Sequence, residues 1–153
     1  MSDKLDNKRD STIRVTGIFG FEKRTKLDLP LFVTGISAGF PSPADDYIDR
    51  KLDLNELLIT HPAATFFVRV EGNSMINAGI HSGDILVVDR ALEPNNNNIV
   101  LAILDGEFTV KRIKKLKNDL YLTPENPDFE PIKIDEETNF EVWGVVTYVV
   151  HSV

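Results

Sequence analysis

The segment Val70-Glu71-Gly72-Asn73-Ser74-Met75 sets a serine at a turn, where an apolar run ends on a glycine and Ile76-Asn77-Ala78 follows. Such a turn exposes a hydroxyl, and consecutive backbone N–H groups around it can point at a developing oxyanion, so the place suits a nucleophile. By itself, a Gly-x-Ser turn is only a turn. A serine hydroxyl also needs a base, and the chain has three histidines. His61 precedes a proline, His81 sits before Ser82-Gly83-Asp84, and His151 lies near the C-terminus. None stands in a context that suggests a triad, and each reads as structural or solvated. The other base is lysine. Lys111 closes the run Glu107-Phe108-Thr109-Val110-Lys111, where apolar neighbours strip water from an ammonium and favour the neutral amine. The shift matters, because at a pKa of about 10.4 only about one lysine in 2,500 is neutral at pH 7. From composition alone the plainer reading prevails: Lys111 opens the basic run Lys111-Arg112-Ile113-Lys114-Lys115-Leu116-Lys117 and is solvated.

Short strands must position any such pair. Residues 65–70 are aromatic and β-branched, and residues 84–89 enclose Ile85-Leu86-Val87-Val88. The apolar run of residues 99–104 turns through Asp105-Gly106 into residues 107–113, a hairpin signal. Residues 120–122, 132–134 and 142–150 follow, separated by turn-rich segments such as Pro124-Glu125-Asn126-Pro127. One stretch, Asp53-Leu54-Asn55-Glu56-Leu57-Leu58, predicts a helix, with Asp53 as N-cap, Glu56 three residues on and His61-Pro62 as the stop. Met75-Ile76-Asn77-Ala78 predicts another short helical turn. The expected fold is therefore mainly β, made of short twisted strands with few short helices. Ahead of it, residues 1–26 are polar and mixed in charge apart from Ile18, Phe19 and Phe21, and read as a mobile arm that docks locally through its aromatics. Residues 29–46 are rich in proline and glycine and read as extended linking chain. The tract Asn95-Asn96-Asn97-Asn98 reads as a solvent loop.

Composition bounds the function. The chain has 153 residues, 42% apolar and 27% charged, and surface scaling gives roughly 69% of the unfolded surface buried on folding. A core of that size needs no disulfide or metal staple. There is no cysteine, which excludes a disulfide framework, a thiolate zinc site and a cysteine nucleophile, and fits a reducing compartment. A net charge of −7 is unsuited to holding duplex DNA by phosphate neutralisation. Lys114, Lys115 and Lys117 have no aromatic interleaved before Tyr121 and read as a solvated face; Trp143 and Tyr148 read as core or dimer interface. No signal-like stretch opens the chain, and no apolar run approaches the roughly twenty residues of a membrane span. A cytoplasmic protein without membrane contact is expected. No metal-ligand spacing and no phosphate loop are present, so no metal and no cofactor are expected.

Taken together, Gly72-Asn73-Ser74-Met75 and, 37 residues later, Phe108-Thr109-Val110-Lys111 resemble the Ser–Lys self-cleaving family of LexA and UmuD, peptidase S24-like, and the UmuD branch in particular. Further segments carry the resemblance: Phe40-Pro41-Ser42-Pro43-Ala44-Asp45-Asp46-Tyr47, Asp53-Leu54-Asn55-Glu56-Leu57-Leu58-Ile59, His61-Pro62-Ala63-Ala64-Thr65, Asp105-Gly106-Glu107 and Gly144-Val145-Val146. It spans residues 29–150 and reverses the plainer reading of Lys111. The resemblance implies a LexA/UmuD-like catalytic domain, a homodimer, Ser74 as nucleophile and Lys111 as general base. It places the oxyanion hole at the backbone N–H groups of Asn73 and Ser74. It makes the chain's own arm the substrate, cut between Ala38 and Gly39, so that residues 1–38 are the arm removed and residues 39–153 the β-rich peptidase-like domain. Alanine and glycine are small enough for an extended backbone to approach a nucleophile closely. The 14 residues from Gly39 to Leu52 span at most about 46 Å extended, against a radius of gyration near 13 Å, roughly, for the body, so the tether can reach the site in its own chain or in a partner.

The implied function is that of a self-processing regulatory subunit of a UmuC-type Y-family translesion DNA polymerase in the SOS DNA-damage response. A RecA–single-stranded DNA filament is the implied trigger, acting by favouring the arm conformation that seats the scissile bond. A LexA-like repressor is the alternative, but residues 1–38 are interrupted by Gly17, Gly20, Pro30 and Gly35 and show no helix-turn-helix pattern, so direct sequence-specific DNA binding is not expected. A signal-peptidase-like enzyme would require a membrane anchor, and a plain binding module would leave Ser74 and Lys111 incidental. The arm is several residues longer than in UmuD, and its Phe19–Phe21 portion has no counterpart there.

Overall fold

The computed structural model describes residues 13–21, 28–32 and 48–153. Ten strands follow in order: β1 (Arg14–Gly20), β2 (Asp28–Phe32), β3 (Ile48–Asp53), β4 (Thr65–Glu71), β5 (Ile85–Asp89), β6 (Ile99–Leu104), β7 (Glu107–Leu116), β8 (Asp119–Thr123), β9 (Ile132–Ile134) and β10 (Phe140–Val150). The α-helix α1 (Leu54–Leu58) is capped as expected: the Asp53 carboxylate accepts from the Asn55 backbone N–H at 2.9 Å. Short 3-10 turns cover Pro62–Ala64 and Ile76–Ala78. Strands β2 and β3 form an antiparallel pair that belongs, with α1, to one compact unit. The other unit holds β1 and His61–Val153.

In that second unit eight strands make one antiparallel sheet in the order β1-β4-β5-β10-β6-β7-β8-β9. Its central strands are apolar because they bury both faces. Leu101 joins a core with Val68, Val70, Leu86, Val88 and Val110, whereas its neighbours Val100 and Ala102 join a second core with Ile113, Leu122 and Val145. Alternating side chains of β6 therefore serve two cores, and the run Ile99–Leu104 carries no polar residue. β10 pairs with both β5 and β6, and its register shifts between Val142 and Gly144 and again between Val146 and Tyr148. Such bulges bend the strand and raise its twist.

Gly144 lies in β10 against Val88 and Asp89 of β5. A Cβ there would meet Val88 Cγ1 at 2.6 Å and the Asp89 carbonyl oxygen at 3.1 Å. Gly144→Ala is therefore expected to destabilise the fold by about 1–3 kcal/mol through overpacking, read as a lower urea midpoint at unchanged slope.

The mainly β class and the strands expected from residue 65 onward are all present, with ends shifted by a few residues. The arm differs. Arg14–Gly20 is a strand hydrogen-bonded to β4, with Arg14 opposite Glu71 and Phe19 opposite Phe67, where a mobile arm was expected. Its aromatics do dock, Phe21 meeting Phe67 edge-on at 6.2 Å. The strand was concealed because its exposed positions mix polar Arg14 and Thr16 with apolar Ile18 and Phe19, so no alternation marks it. The asparagine tract faces solvent but is tied to β7, Asn97 N–H donating to the Ile113 carbonyl and Asn98 accepting from Ile113 N–H, each at 2.8 Å.

Candidate active site

Ser74 is held by its neighbours. β4 ends at Glu71, and Gly72 turns the chain with φ 111°, a conformation that favours glycine. Val70 and the base of β5 close the neck of the loop: Val70 N–H donates to the Asp84 carbonyl at 3.0 Å and Gly83 N–H to the Val70 carbonyl at 2.7 Å. Met75, next to Ser74, is fully buried in the core, and its sulfur accepts from Glu125 N–H at 3.4 Å. The Asn73 carbonyl accepts from Ile76 N–H at 3.2 Å and from Asn126 Nδ2 at 2.9 Å. Among the described residues, neither the Asn73 nor the Ser74 backbone N–H donates to a protein acceptor. Two adjacent free donors beside a hydroxyl can serve a developing oxyanion.

Lys111 reaches Ser74 from β7. Its Nζ lies 3.1 Å from Ser74 Oγ, 3.0 Å from Thr109 Oγ1 and 3.1 Å from the Val110 carbonyl oxygen. Thr109 contributes because side chains two apart share a strand face. The residue is 3% exposed, and burial lowers the amine pKa to about 8. A neutral amine has two N–H donors and one lone pair. The Val110 carbonyl and Thr109 Oγ1 take the donors, and the lone pair faces the Ser74 hydroxyl. At pH 7 about one amine in eleven is then neutral, against about one in 2,500 at the ordinary value. The basic run thus divides: Lys111 is buried, while Lys115 and Lys117 are exposed.

The low pKa is also a statement about stability. Between pH 8 and 10.5 the unfolded chain holds a proton on Lys111 that the folded chain has released. Stability therefore rises with pH across that window, by roughly 3 kcal/mol in total. Lys111→Met removes the penalty, so the variant is expected to exceed the parent in stability at pH 7, the gap closing towards pH 10.5. Chemical denaturation of both proteins at matched pH measures it; a constant gap would contradict the assignment.

The strand β1 reaches this site as well. Ile13, 2% exposed, donates its backbone N–H to Ser74 Oγ at 3.2 Å, and Ser74 has no exposed surface. Beside them opens a cleft of about 650 Å³ whose walls include Ile13, Val15, Phe108, Thr109, Lys111 and Ile132.

The structure thus brings Ser74, Lys111 and Asn73 together. Ala38 and Gly39 lie outside the described residues. No histidine bonds to Ser74 or Lys111: His61 Nδ1–H donates to Asp89 at 2.6 Å, and His151 Nδ1–H donates to Asp84 at 2.5 Å. The latter pair forms a cluster with His81, a grouping hidden in the sequence by the 67 positions between Asp84 and His151. Both Asp84 oxygens are already engaged there, the second by His81 backbone N–H at 2.8 Å. Trp143 packs against the core, edge-on to Phe66 and Phe108 with the Arg90 guanidinium 4.7 Å from its ring centroid, whereas Tyr148 is exposed. Sequence reasoning missed Thr109 and Ile13. The i, i+2 spacing from Lys111 could have found Thr109; no local signal marks Ile13.

Comparison with known proteins bears on this arrangement. Residues 30–147 match the model of a family described as Peptidase S24-like. The chain is 49% identical over 128 residues to protein ImpA of Salmonella typhimurium, covering 80% of this chain and 83% of that one. It is 50% identical over 123 residues to protein SamA of Salmonella typhimurium strain LT2, covering 80% and 85%. The LexA repressor of Shewanella baltica is 40% identical over 114 residues, 74% of this chain but 54% of the repressor.

Proposed function

The chain belongs to the peptidase S24-like family, and from that premise we propose that it cuts its own backbone between Ala38 and Gly39, with Ser74 as nucleophile and Lys111 as general base. Neutral Lys111 takes the hydroxyl proton as Ser74 Oγ attacks the Ala38 carbonyl carbon. The Asn73 and Ser74 N–H groups hold the oxyanion that forms. The resulting ammonium returns its proton to the Gly39 nitrogen as the C–N bond breaks. Water then hydrolyses the Ala38 ester, leaving residues 1–38 and 39–153 as separate chains and Ser74 restored. The observation that carries this reading is the 3.1 Å contact between Ser74 Oγ and a lysine amine buried and depressed to about pH 8. Incubating the purified protein alone at pH 9–10 is expected to yield those two fragments by intact mass. A chain that stays whole, or is cut elsewhere, contradicts the proposal.

The biological setting follows from the family resemblance: a homodimeric subunit of a UmuC-type translesion polymerase, processed in the SOS response when a RecA–single-stranded DNA filament favours the cleavable arm conformation. An apolar hollow of about 330 Å³ among Phe19, Phe67, Ile85 and Val150, with Tyr148 and Val149 exposed on β10, gives a dimer surface to bury. Among the described residues no helix is long and apolar enough to cross a membrane. The repressor alternative draws on the LexA match, which spans 54% of that protein; a gel shift with genomic DNA separates the two, the subunit giving none.

A further inference from the structure

Building on the self-cleavage reading, we propose that β1 is an autoinhibitory strap: the chain's own residues 13–20 bind the β4 edge and seat Ile13 on the nucleophile, so that processing requires β1 to detach.

The first support is the contact itself. Ile13 N–H donates to Ser74 Oγ at 3.2 Å, which engages one of the two lone pairs of the oxygen that must attack a carbonyl carbon. The second is steric. A near-attack geometry needs the reacting atoms about 3–3.5 Å apart, yet Ser74 has no exposed surface and Ile13 is packed into the same core as Met75 and Val110. Ile13 thus occupies space beside Oγ that a scissile carbonyl needs. The third is the edge. β4 has β1 on one side and β5 on the other, so the side of β4 that an extended substrate would join by strand addition is the one β1 already fills.

The strap is also built to come off. It is the outermost strand of the sheet, its register slips between Val15 and Gly17, and its far half leaves Ile18 46% exposed. Its inward apolar anchors, Ile13 and Val15, lie at one end, and beyond the other end Phe21 meets Phe67 edge-on. Local opening of such an element is less costly than global unfolding, and the measured cleavage rate scales with the open fraction. A factor that favours cleavage then has a defined target, the β1–β4 pairing, besides the protonation of Lys111.

The absence of cysteine from the chain allows a reversible test in the full-length protein. Arg14 and Glu71 are exposed Cα partners across β1 and β4, at a spacing that a disulfide spans. The double variant Arg14→Cys with Glu71→Cys is incubated at alkaline pH either oxidised or reduced, then quenched, fully reduced and weighed by mass spectrometry. The oxidised form is expected to cleave at least tenfold more slowly than the reduced form. Ile13→Asp, which puts a carboxylate into the buried seat, is expected to cleave at least tenfold faster than the parent. Equal rates in the oxidised and reduced forms overturn the strap, whatever the folding of the Ile13 variant. An Ile13→Asp chain that is folded yet no faster than the parent overturns it too. If parent and reduced protein both stay whole, the self-cleavage reading fails and takes the strap with it.

Discussion

Ser74→Ala and Lys111→Met are each expected to lower the alkaline self-cleavage rate by at least about a thousandfold, and the double variant by no more than either single one. Nucleophile and base act as a unit: without the amine the hydroxyl keeps its proton, and without the hydroxyl the amine has nothing to activate. The geometry makes the loss hard to rescue, since no histidine among the described residues bonds to Ser74 Oγ. Lys111→Arg separates charge from base. A guanidinium keeps the positive charge but does not release its proton in the relevant range, so this variant is expected to be as inactive as Lys111→Met. Intact mass against time at pH 9.5 measures all four proteins, with circular dichroism to establish that each is folded. Cleavage by Lys111→Arg at even a tenth of the parent rate would show that the amine is not the base.

The pH profile is the second large effect. With the Lys111 pKa at about 8, the parent rate is expected to climb tenfold per pH unit below 8 and to level off above about pH 9. At pH 7 it should stand near a tenth of its plateau, because about one amine in eleven is neutral there. The sign is set by chemistry: the base acts only when unprotonated, so activity is lost on acidification. The strap scales the height of this curve through the open fraction. A midpoint near 10.5 would mean that Lys111 is hydrated in the reacting form; a rate independent of pH from 6 to 9 would remove lysine from the chemistry.

The amino-acid sequence made the strands after residue 65 legible, because each carries its own signal: aromatic and β-branched residues in β4, an uninterrupted apolar run in β6, and Asp105-Gly106 between β6 and β7. It marked Ser74 through a glycine-bounded turn, and Lys111 through family likeness. Residue types alone argued for a solvated Lys111, since a basic run looks the same whether or not its first member turns inward. Packing resolves that point. Val100 faces Lys111 across β6 and β7, the Thr109 hydroxyl and the Val110 carbonyl accept its hydrogen bonds, and removal from water lowers its pKa. The same holds for β1, whose mixed polar and apolar exposed residues hid a strand that pairs with the edge of β4 while the core gives Ile13 a seat. Burial and pairing between residues 61 positions apart, as in Ile13 and Ser74, are properties of the packed chain that no local pattern of residue types records.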